Sequence, residues 1–299
     1  MRIWISIQSQ SLELYGDDWM LLRRYMVSTA SNGAGEIKGS YCTPRGRHIV
    51  RAKIGADAPD NTVFVRRRPT GEVWSPELGE ANPGRDWILT RILWLSGIEP
   101  GFNRLGEVDT MRRYIYLHGS PDAVAMGAPG SIGCIRMWNR DIVELFDMVP
   151  AYTTVDIVEY GIEEGDWTHL AAEAGPVRET VFVSEQGVPA DMEYDEWDPA
   201  SLHVVAHGPA GEPIGTGRLL PNGRIGRMAV LSGWRDKGVG TALMSRLMEA
   251  ARREGLSALA LNAQTAATAF YRRFGFEVAG EEFMEAGIAH VSMFRTLSA

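Results

Sequence analysis

The sequence predicts two domains, the first mainly β and the second α/β. The chain has 299 residues, whereas a single domain typically has roughly 100–200. Short β-prone runs separated by Gly, Pro, Asn and Asp fill residues 1–160, and candidate strands alternate with helices over residues 167–299. We take residues 161–166 as a linker, because two glycines bound a short acidic stretch there.

The charge distribution supports the same division and excludes one class of partner. Residues 1–160 carry 18 basic and 19 acidic side chains, whereas residues 161–299 carry 12 and 19. The acidic excess lies in the second domain, where it favours cationic over anionic substrates. A chain with a net charge of −8 is not expected to bind nucleic acid, which normally requires a basic surface.

The cysteine count and the N-terminus indicate a compartment. The two cysteines, Cys42 and Cys134, are too few for a secreted disulfide framework. The first residues alternate apolar and polar like a strand, without the apolar core and cleavage site of a signal peptide. No apolar run reaches the ~18–20 residues that cross a bilayer. We therefore expect a cytoplasmic protein without a membrane span, and the sequence predicts no metal site.

The pattern of the first domain predicts five strands and one clear helix. The predicted strands are RIWISI, HIVRAKI, TVFVRR, YIYLHG and TTVDIVEY. A helix is predicted at 139–149, with Asn139 as its cap and Pro150 after its last turn. The segment 83–107 fits either a second short helix or a buried strand.

The second domain shows the clearer alternation. Predicted helices lie at 178–185, 238–254 and 266–274, and predicted strands at 203–206, 215–220, 227–231, 256–261 and 288–295. The helix at 238–254 is the most strongly amphipathic, with Leu243, Leu247 and Ala250 on one face.

A strand, a turn and a helix follow one another in the sequence RMAVLSGWRDKGVGTA, residues 227–242. Glycines let the backbone approach a ligand closely, and a helix N-terminus offers free N–H groups to a phosphate. Arg235 and Lys237 add positive charge. The pattern lacks the third glycine of a Rossmann fingerprint and the Gly-Lys-Ser/Thr of a P-loop. Taken alone, it fits a phosphate site or a tight strand-to-helix turn.

The ordered motifs of the second domain resemble those of the GNAT acetyltransferases, in particular the ElaA-like branch. The residues that carry the resemblance are Arg-x-x-Gly-x-Gly at 235–240, Asn262, FYRRFGF at 270–276, VFVSEQGVP at 181–189 and AGIAHVSM at 286–293. The resemblance covers about 167–297 and implies the acyl-CoA N-acyltransferase fold.

This resemblance also implies acetyl-CoA as co-substrate and an amine as acceptor. The pantetheine would pair with the strand at Met228 and Val230, and Tyr271 would protonate the departing thiolate. The other implied cofactor-binding residues are Arg235, Lys237, Gly238, Gly240, Thr241 and Asn262. A group of acidic residues would either attract the amine or form a solvated loop: Glu193, Asp195, Glu196 and Asp198.

Cys134 lies in the stretch GSIGCIRM, downstream of a predicted strand that ends at His118. A thiol is a nucleophile only when deprotonated, and a neighbouring histidine can take its proton. The connecting loop is rich in Gly, Pro and Ala and able to bring the two residues together. A lone cysteine is more often a packed apolar residue, so both interpretations stay open at this point.

The first domain resembles the YkuD-type L,D-transpeptidase catalytic domain over about residues 1–160. The carrying motifs are IYLHGSPD at 115–122 and SIGCIRM at 131–137, supported by GSYCTPRG at 39–46 and VDTMRRY at 108–114. The resemblance implies a β-rich fold and acyl transfer from a peptidoglycan stem peptide to an amine or to water. Cys134 would be the nucleophile, His118 its base, and Arg136 would orient the substrate. The N–H groups of Gly133 and Cys134 would face the oxyanion.

One residue departs from that family's pattern. The family usually reads Ser-His-Gly-Cys, and here Ile132 replaces the histidine, so the position can neither donate a hydrogen bond nor hold charge. We predict a bifunctional bacterial enzyme that joins cysteine-dependent acyl transfer on peptidoglycan-derived peptides to acetyl transfer onto an amine. The alternative is a non-catalytic muropeptide-binding domain that serves an active acetyltransferase. The sequence specifies neither the oligomeric state nor any coupling of the two domains.

Overall fold

A computed structural model describes residues 1–297, which form two compact units. The first unit comprises Met1–Asp17 and Leu22–Glu159, and the second comprises Asp18–Leu21 and the chain from Tyr160 onward. The first unit is mainly β and the second is α/β, so both predicted fold classes are confirmed. Within the described residues, no helix is both long enough and apolar enough to span a membrane.

The first unit is built on one sheet of ten strands. The strands are β1 (Arg2–Ser6), β2 (Ser11–Tyr15), β3 (Leu21–Met26), β4 (Gly46–Ile54), β5 (Thr62–Val65), β6 (Arg68–Val73), β7 (Ile88–Gly97), β8 (Tyr116–Ser120), β9 (Ile135–Trp138) and β10 (Thr154–Val158), and the helices are α1 (Pro76–Ala81) and α2 (Asn139–Met148). The main order is β3-β2-β1-β10-β4-β7-β5-β6, and β8 joins β7 to β9. This arrangement places β9 parallel to β8.

Burial explains how the segment 83–107 folds. Its central residues form β7, in which Leu89, Leu93 and Leu95 are fully buried. A run that is apolar on both faces suits a central strand, so the strand alternative holds there. The sequence pattern missed the short helix α1, which Ser75 caps by accepting a hydrogen bond from the Leu78 N–H.

The helix predicted at 139–149 is present as α2, but the role assigned to Asn139 is wrong. Trp138 occupies the cap position and makes no side-chain capping bond, and Asn139 is the first helical residue. Its side-chain amide instead accepts a hydrogen bond from Thr90 and donates one to Asn61. These bonds fix the start of α2, which directly follows β9, against loops of the sheet.

The second unit contains a four-stranded and a three-stranded sheet. Its strands are β11 (Gly161–Gly165), β12 (Leu202–His207), β13 (Pro213–Leu219), β14 (Ile225–Val230), β15 (Ala258–Gln264), β16 (Glu277–Glu285) and β17 (Ile288–Thr296), and its helices are α3 (Trp167–Arg178), α4 (Ala190–Glu193), α5 (Val239–Arg253) and α6 (Thr268–Arg272). Helix α3 continues directly into a π-helical turn, Glu179–Glu185. The sheet orders are β11-β12-β13-β14 and β15-β17-β16.

Residues 161–166 are part of the second unit rather than a linker. Residues 161–165 form β11, which pairs antiparallel with β12. Asp166 caps α3 by accepting a hydrogen bond from the His169 N–H at 2.9 Å. The two glycines that bound the acidic stretch are compatible with an edge strand. The linker prediction is therefore wrong at the level of local structure.

The two sheets of the second unit meet at the beginnings of β14 and β15. A parallel bridge joins Arg224 to Ala260, and the Ala260 N–H donates to the Gly223 carbonyl at 3.0 Å. Farther along, β14 pairs with β13 on one side, and no ladder covers its other side within the described residues. The fold thus leaves one open strand edge directly before the loop that leads into α5.

Candidate functional sites

The pairing of β8 with β9 brings the predicted nucleophile and base into one region. His118 lies opposite Arg136 in the parallel register, and Cys134 directly precedes β9. The Cys134 side chain packs against a small apolar cluster of Phe64, Ile92 and Tyr116. The sequence motifs around both residues are therefore joined by strand pairing and not only by loop flexibility.

The His118 ring is held in one tautomer. Its side chain is fully buried, and its Nδ1–H donates to the Gly119 carbonyl oxygen at 2.8 Å. A carbonyl can only accept, so Nε2 carries a lone pair, and this atom is buried without a hydrogen-bond partner among the described residues. Burial lowers the pKa of His118 below its ordinary value. The ring is neutral at neutral pH and can accept a proton at Nε2.

The Cys134 thiol is protonated in the free protein. Its Sγ lies 3.5 Å from the Tyr114 carbonyl oxygen, where an S–H can donate. Burial, reinforced by the Asp86 charge, raises the pKa of Cys134 to about 12, against the opposing influence of a hydrogen bond from the Tyr116 backbone and of the Arg136 and Arg113 charges. A base must therefore remove the proton as the thiol attacks.

The loop before Cys134 is organised by its own hydrogen bonds. The Gly133 N–H donates to Ser131 Oγ at 3.2 Å, the Ser131 hydroxyl donates to the Cys134 carbonyl, and Thr43 Oγ1 donates to the Gly133 carbonyl at 3.0 Å. Gly133 has φ = +129°, which disfavours any residue with a Cβ. The N–H that the family resemblance assigns to the oxyanion is thus engaged within the loop. Ile132, by contrast, is 56% exposed.

Arg136 is held by partners that the sequence analysis did not identify. Its guanidinium pairs with Asp86 and donates to the Gly130 carbonyl at 2.9 Å. Asp86 lies between α1 and β7, 50 residues before Arg136, so no local motif reveals it. The other cysteine, Cys42, lies beside Arg113, which donates to its backbone carbonyl at 2.6 Å, and its thiol donates to the Asn32 carbonyl at 3.3 Å.

A second cation, Arg67, contacts aromatic residues close to Cys134. The Arg67 guanidinium lies 4.2 Å from the Trp94 ring centre and 4.8 Å from that of Tyr114, and it donates to the Tyr116 hydroxyl at 3.1 Å. Arg67 belongs to an Arg-Arg-Arg run between β5 and β6, a signal that the sequence analysis passed over. The aromatic contacts orient a positive charge near residues that also contact Cys134.

In the second unit, the open edge of β14 presents backbone groups to solvent. The Leu231 N–H donates to the Ile214 carbonyl on the β13 side at 3.0 Å. Because backbone groups alternate along a strand, the N–H and C=O of Val230, and those of Met228 two residues earlier, point to the open side. A bulge at Arg227, which has φ = +51°, bends the strand just before this stretch.

The start of α5 offers further backbone donors. Gly238 has φ = +83° and precedes the first helical residue, and no side chain caps the helix. The N–H groups of Val239, Gly240 and Thr241 therefore lack intrahelical acceptors. A 15-residue helix with free N–H groups, next to an open strand edge, fits the pyrophosphate and pantetheine parts of an acyl-CoA.

The two basic residues predicted to contact phosphate have protein partners. Arg235 Nε donates to the Val230 carbonyl at 3.0 Å, and its guanidinium pairs with Glu185. Lys237 Nζ lies 4.9 Å from the centre of the Trp234 ring. Asn262 lies on β15, where its Oδ1 accepts a hydrogen bond from Ser292.

Tyr271 is surrounded by aromatic rings on α6 and the following turn. Its ring centre is 5.0 Å from that of Phe270 and 6.3 Å from that of Phe276. Burial raises the pKa of Tyr271 to about 12. The phenol is thus fully protonated at neutral pH, as a proton donor must be.

The acidic group at 193–198 is neither an amine-attracting patch nor a solvated loop. Of its four carboxylates, only that of Glu196 is exposed. Glu193 and Asp198 are 2% exposed. The acidic group pairs with arginines through these contacts: Arg178 to Glu193 and Asp198, Arg218 to Asp195 and Asp198, and Arg227 to Glu193 and Asp195. Both sequence alternatives are wrong here, because three arginines distant in sequence neutralise the carboxylates in the folded unit.

Comparison with family models decides the assignment. The model of the YkuD L,D-transpeptidase catalytic domain matches residues 1–157, more than half of the chain, and the model of the acetyltransferase (GNAT) domain matches residues 169–297. The chain belongs to the YkuD family and carries a GNAT acetyltransferase domain after it. The predicted fusion is therefore confirmed.

The GNAT domain has relatives of known sequence and structure. It is 43% identical over 123 residues to a Bacillus subtilis protein named uncharacterized N-acetyltransferase YjcF, a match covering 40% of this chain and 87% of the relative. A Schizosaccharomyces pombe protein named UPF0039 protein C11D3.02c is 34% identical over 39% of this chain and 81% of its own. The crystal structure of Escherichia coli ElaA is 26% identical, with a TM-score of 0.42, over 46% of this chain and 99% of that one.

Proposed function

We propose that the protein is a bifunctional enzyme. Its YkuD domain would transfer an acyl group from a peptidoglycan-derived peptide through Cys134, and its GNAT domain would transfer an acetyl group from acetyl-CoA to an amine. The observation that carries the first activity is the buried, unpartnered Nε2 of His118. Cysteine acyl transfer requires a base with a free lone pair near the thiol, and His118 lies on the strand that pairs with β9, which begins directly after Cys134.

The acyl-transfer step follows from these two side chains. As Cys134 Sγ attacks the peptide carbonyl, its proton passes to His118 Nε2, and the Gly119 carbonyl stabilises the imidazolium through Nδ1–H. The C–N bond of the amide then breaks, and the leaving amine takes the proton back from His118. A second amine, or water, attacks the resulting thioester, and the Cys134 thiol is regenerated. Arg136, held by Asp86, would orient the substrate.

The acetyl-transfer step needs a binding site for acetyl-CoA and a proton donor. Acetyl-CoA would supply an activated thioester, and the open edge of β14 and the start of α5 would hold it. The residues proposed for binding are Met228, Val230, Arg235, Lys237, Gly238, Gly240, Thr241 and Asn262. Tyr271, with its pKa raised to about 12, would give a proton to the departing thiolate and would then recover the proton that the amine loses as the amide forms. Arg235 would exchange Glu185 for phosphate on binding.

A second candidate function is a YkuD domain that binds muropeptides without reacting. Two observations favour it: an exposed isoleucine replaces the family's histidine at position 132, and the Gly133 N–H is engaged by Ser131. In that case the first unit would deliver a peptide with a free amine to the GNAT domain. The raised pKa of Cys134 is compatible with either function. A catalytic thiol would lose its proton to His118 only as it attacks, and the thiol of a binding domain would stay protonated.

Intact-mass spectrometry after exposure to a carbapenem tests the first activity, because a thiol activated for L,D-transpeptidation is expected to be acylated. We expect one stable adduct on the wild type and on Cys42→Ser, and none on Cys134→Ser. If the wild-type protein retains its fold and forms no adduct, the result would favour the muropeptide-binding function. Acetyl transfer is tested separately by CoA release from acetyl-CoA with muropeptides that carry free amines, using Tyr271→Phe as the impaired variant.

A further inference from the structure

A mixed histidine–glutamate cluster lies on the side of the four-stranded sheet opposite β14. Glu163 on β11, Glu173 on α3 and His207 at the end of β12 each place one donor atom within 4.8 Å of the other two. Strand pairing and helix packing bring these residues together from three elements. None of them belongs to either site described above.

The spacing of the donor atoms fits a divalent metal ion. His207 Nε2 lies 2.7 Å from Glu173 Oε2, whereas the other ring nitrogen, Nδ1, lies 3.9 Å from Glu163 Oε2. One of these nitrogens lies within 4.8 Å of an oxygen of each glutamate. Nitrogen and oxygen ligands bind Zn²⁺ at about 2.0–2.2 Å, so neighbouring ligands of a tetrahedral ion are about 3.3 Å apart. The observed separations lie on both sides of that value. Because an imidazole binds an ion through one nitrogen, the glutamate that faces the other ring nitrogen would rotate toward the ion to enclose it.

A fourth residue supports one of the carboxylates. His169 Nε2 lies 3.1 Å from Glu163 Oε1, the oxygen that does not face His207. His169 and Glu173 are four residues apart on α3 and lie on the same helix face. Carboxylates that bind metals are commonly held by such outer hydrogen bonds. His169 would orient Glu163 rather than bind the ion directly.

The charges around the cluster are not balanced by the protein. Within the described residues, Glu163 and Glu173 form ion pairs with histidines and with no lysine or arginine. By contrast, the adjacent Glu164 pairs with Arg253. A divalent cation would supply the positive charge that these two carboxylates do not receive from a lysine or arginine. The single imidazole and two carboxylates of the cluster suit Zn²⁺ better than Mg²⁺, which prefers oxygen ligands and retains its bound water.

We propose that Glu163, Glu173 and His207 form a Zn²⁺ site with one open coordination position. The ion would clamp β11 and α3 to the end of β12, so its main effect would be on the stability of the GNAT domain. The site lies at the edge of the sheet opposite the proposed acyl-CoA edge. Zinc binding would therefore add a stabilising function that is separate from acetyl transfer.

Isothermal titration calorimetry with Zn²⁺ tests the proposal on the full chain. Cys42→Ser/Cys134→Ser serves as the background, so that thiols cannot contribute. We expect one saturable site, weakened about a hundredfold or more by Glu173→Gln or His207→Gln, and about tenfold by His169→Gln. His290→Gln, which removes a histidine of the same unit outside the cluster, should bind Zn²⁺ like the background.

Thermal unfolding with added metal gives a second readout. Zn²⁺ should raise the melting temperature of the background protein, an equal concentration of Mg²⁺ should not, and the increase should vanish in Glu173→Gln. Each variant is compared with its own metal-free form, so a loss of intrinsic stability does not obscure the result. Equal responses to the two ions, or an unchanged Zn²⁺ affinity in Glu173→Gln and His207→Gln, would overturn the proposal.

Discussion

At the residue scale, Cys134 and His118 are both neutral in the free protein. Burial has opposite effects on the two groups, since it raises the pKa of the thiol to about 12 and lowers the pKa of the imidazole. A stable thiolate–imidazolium pair is thus disfavoured. The reactive thiolate would form only when a substrate carbonyl is in place, which would limit reaction with other electrophiles.

The pH dependence of acylation follows from these shifts. In the wild type, the base form of His118 is present above its lowered pKa, so acylation by a carbapenem should be fast and nearly constant from pH 7 to 9 and should decline as the solution becomes acidic enough to protonate the ring. In His118→Gln, only preformed thiolate reacts, and the rate should rise about tenfold per pH unit over the same range. Time courses of adduct mass measure both. Parallel rises in the two proteins would contradict a role for His118 as base.

Local motifs indicated the proposed nucleophile and base but not the residues that contact their neighbours. Cys134 and His118 stand in recognisable segments, and strand pairing brings them together. Asp86 contacts Arg136 across 50 positions, and Arg67 contacts Tyr116 across 49. Such contacts depend on the register of β7, β8 and β9, which a single sequence does not define.

At the element scale, the open side of β14 can be tested through one backbone donor. Val230→Pro removes the N–H that points away from β13, so the sheet should tolerate it. We expect the affinity for acetyl-CoA to fall about three- to tenfold, the value of one hydrogen bond. Val230→Ala, which keeps the N–H, is the matched control. Equal affinities of the two variants, measured by calorimetry, would exclude pairing of the ligand with this residue.

The arginine–carboxylate network is a second element-scale feature. The Arg178 side chain is fully buried and bonds to Glu193 and Asp198. Burial alone would raise the pKa of Asp198, but hydrogen bonds from Arg178 and Arg218 lower it overall. The stabilisation from Asp198 is therefore present above the ordinary pKa of a free aspartate and is lost as the pH falls through its lowered value.

Replacing Arg178 should destabilise the second unit strongly. Arg178→Met leaves two buried carboxylates short of a partner, and the expected loss in the free energy of unfolding is about 3–5 kcal/mol. Urea denaturation monitored by tryptophan fluorescence measures it. Arg224→Met, at an exposed position, is the control and should change the free energy of unfolding by no more than about 0.5 kcal/mol. Similar losses in both variants would mean that the network contributes nothing specific.

At the scale of the whole molecule, the two proposed activities should be separable. Each site is built from residues of one compact unit. Cys134→Ser should abolish the carbapenem adduct and leave the kcat and KM of acetyl transfer within about twofold. Tyr271→Phe should lower kcat about a hundredfold without changing adduct formation. Both assays are run on the same full-length preparations, and a loss of both activities in either variant would contradict this separation.

The sequence indicated the order of the two domains correctly, but it did not indicate the structure at their boundary. The β-prone runs over residues 1–160 and the alternating strands and helices over 167–299 indicated the two fold classes, and the motifs at 115–137 and 227–276 carried the family resemblances. Gly161–Gly165 was misread because an exposed edge strand with two glutamates has the composition of a loop. The Glu163–Glu173–His207 cluster has no motif spacing at all, since its members meet only after β11, α3 and β12 have packed.

The open side of β14 also has a consequence for how the protein behaves at high concentration. An unpaired strand edge is a template for a strand of another molecule, and proteins usually protect such edges. The bulge at Arg227 and the Arg235 side chain on the Val230 carbonyl cover it only in part. An acyl-CoA seated along β14 would complete the protection. Cells with abundant acyl-CoA would thus keep the protein dispersed, whereas starvation for the cofactor would expose it to self-association.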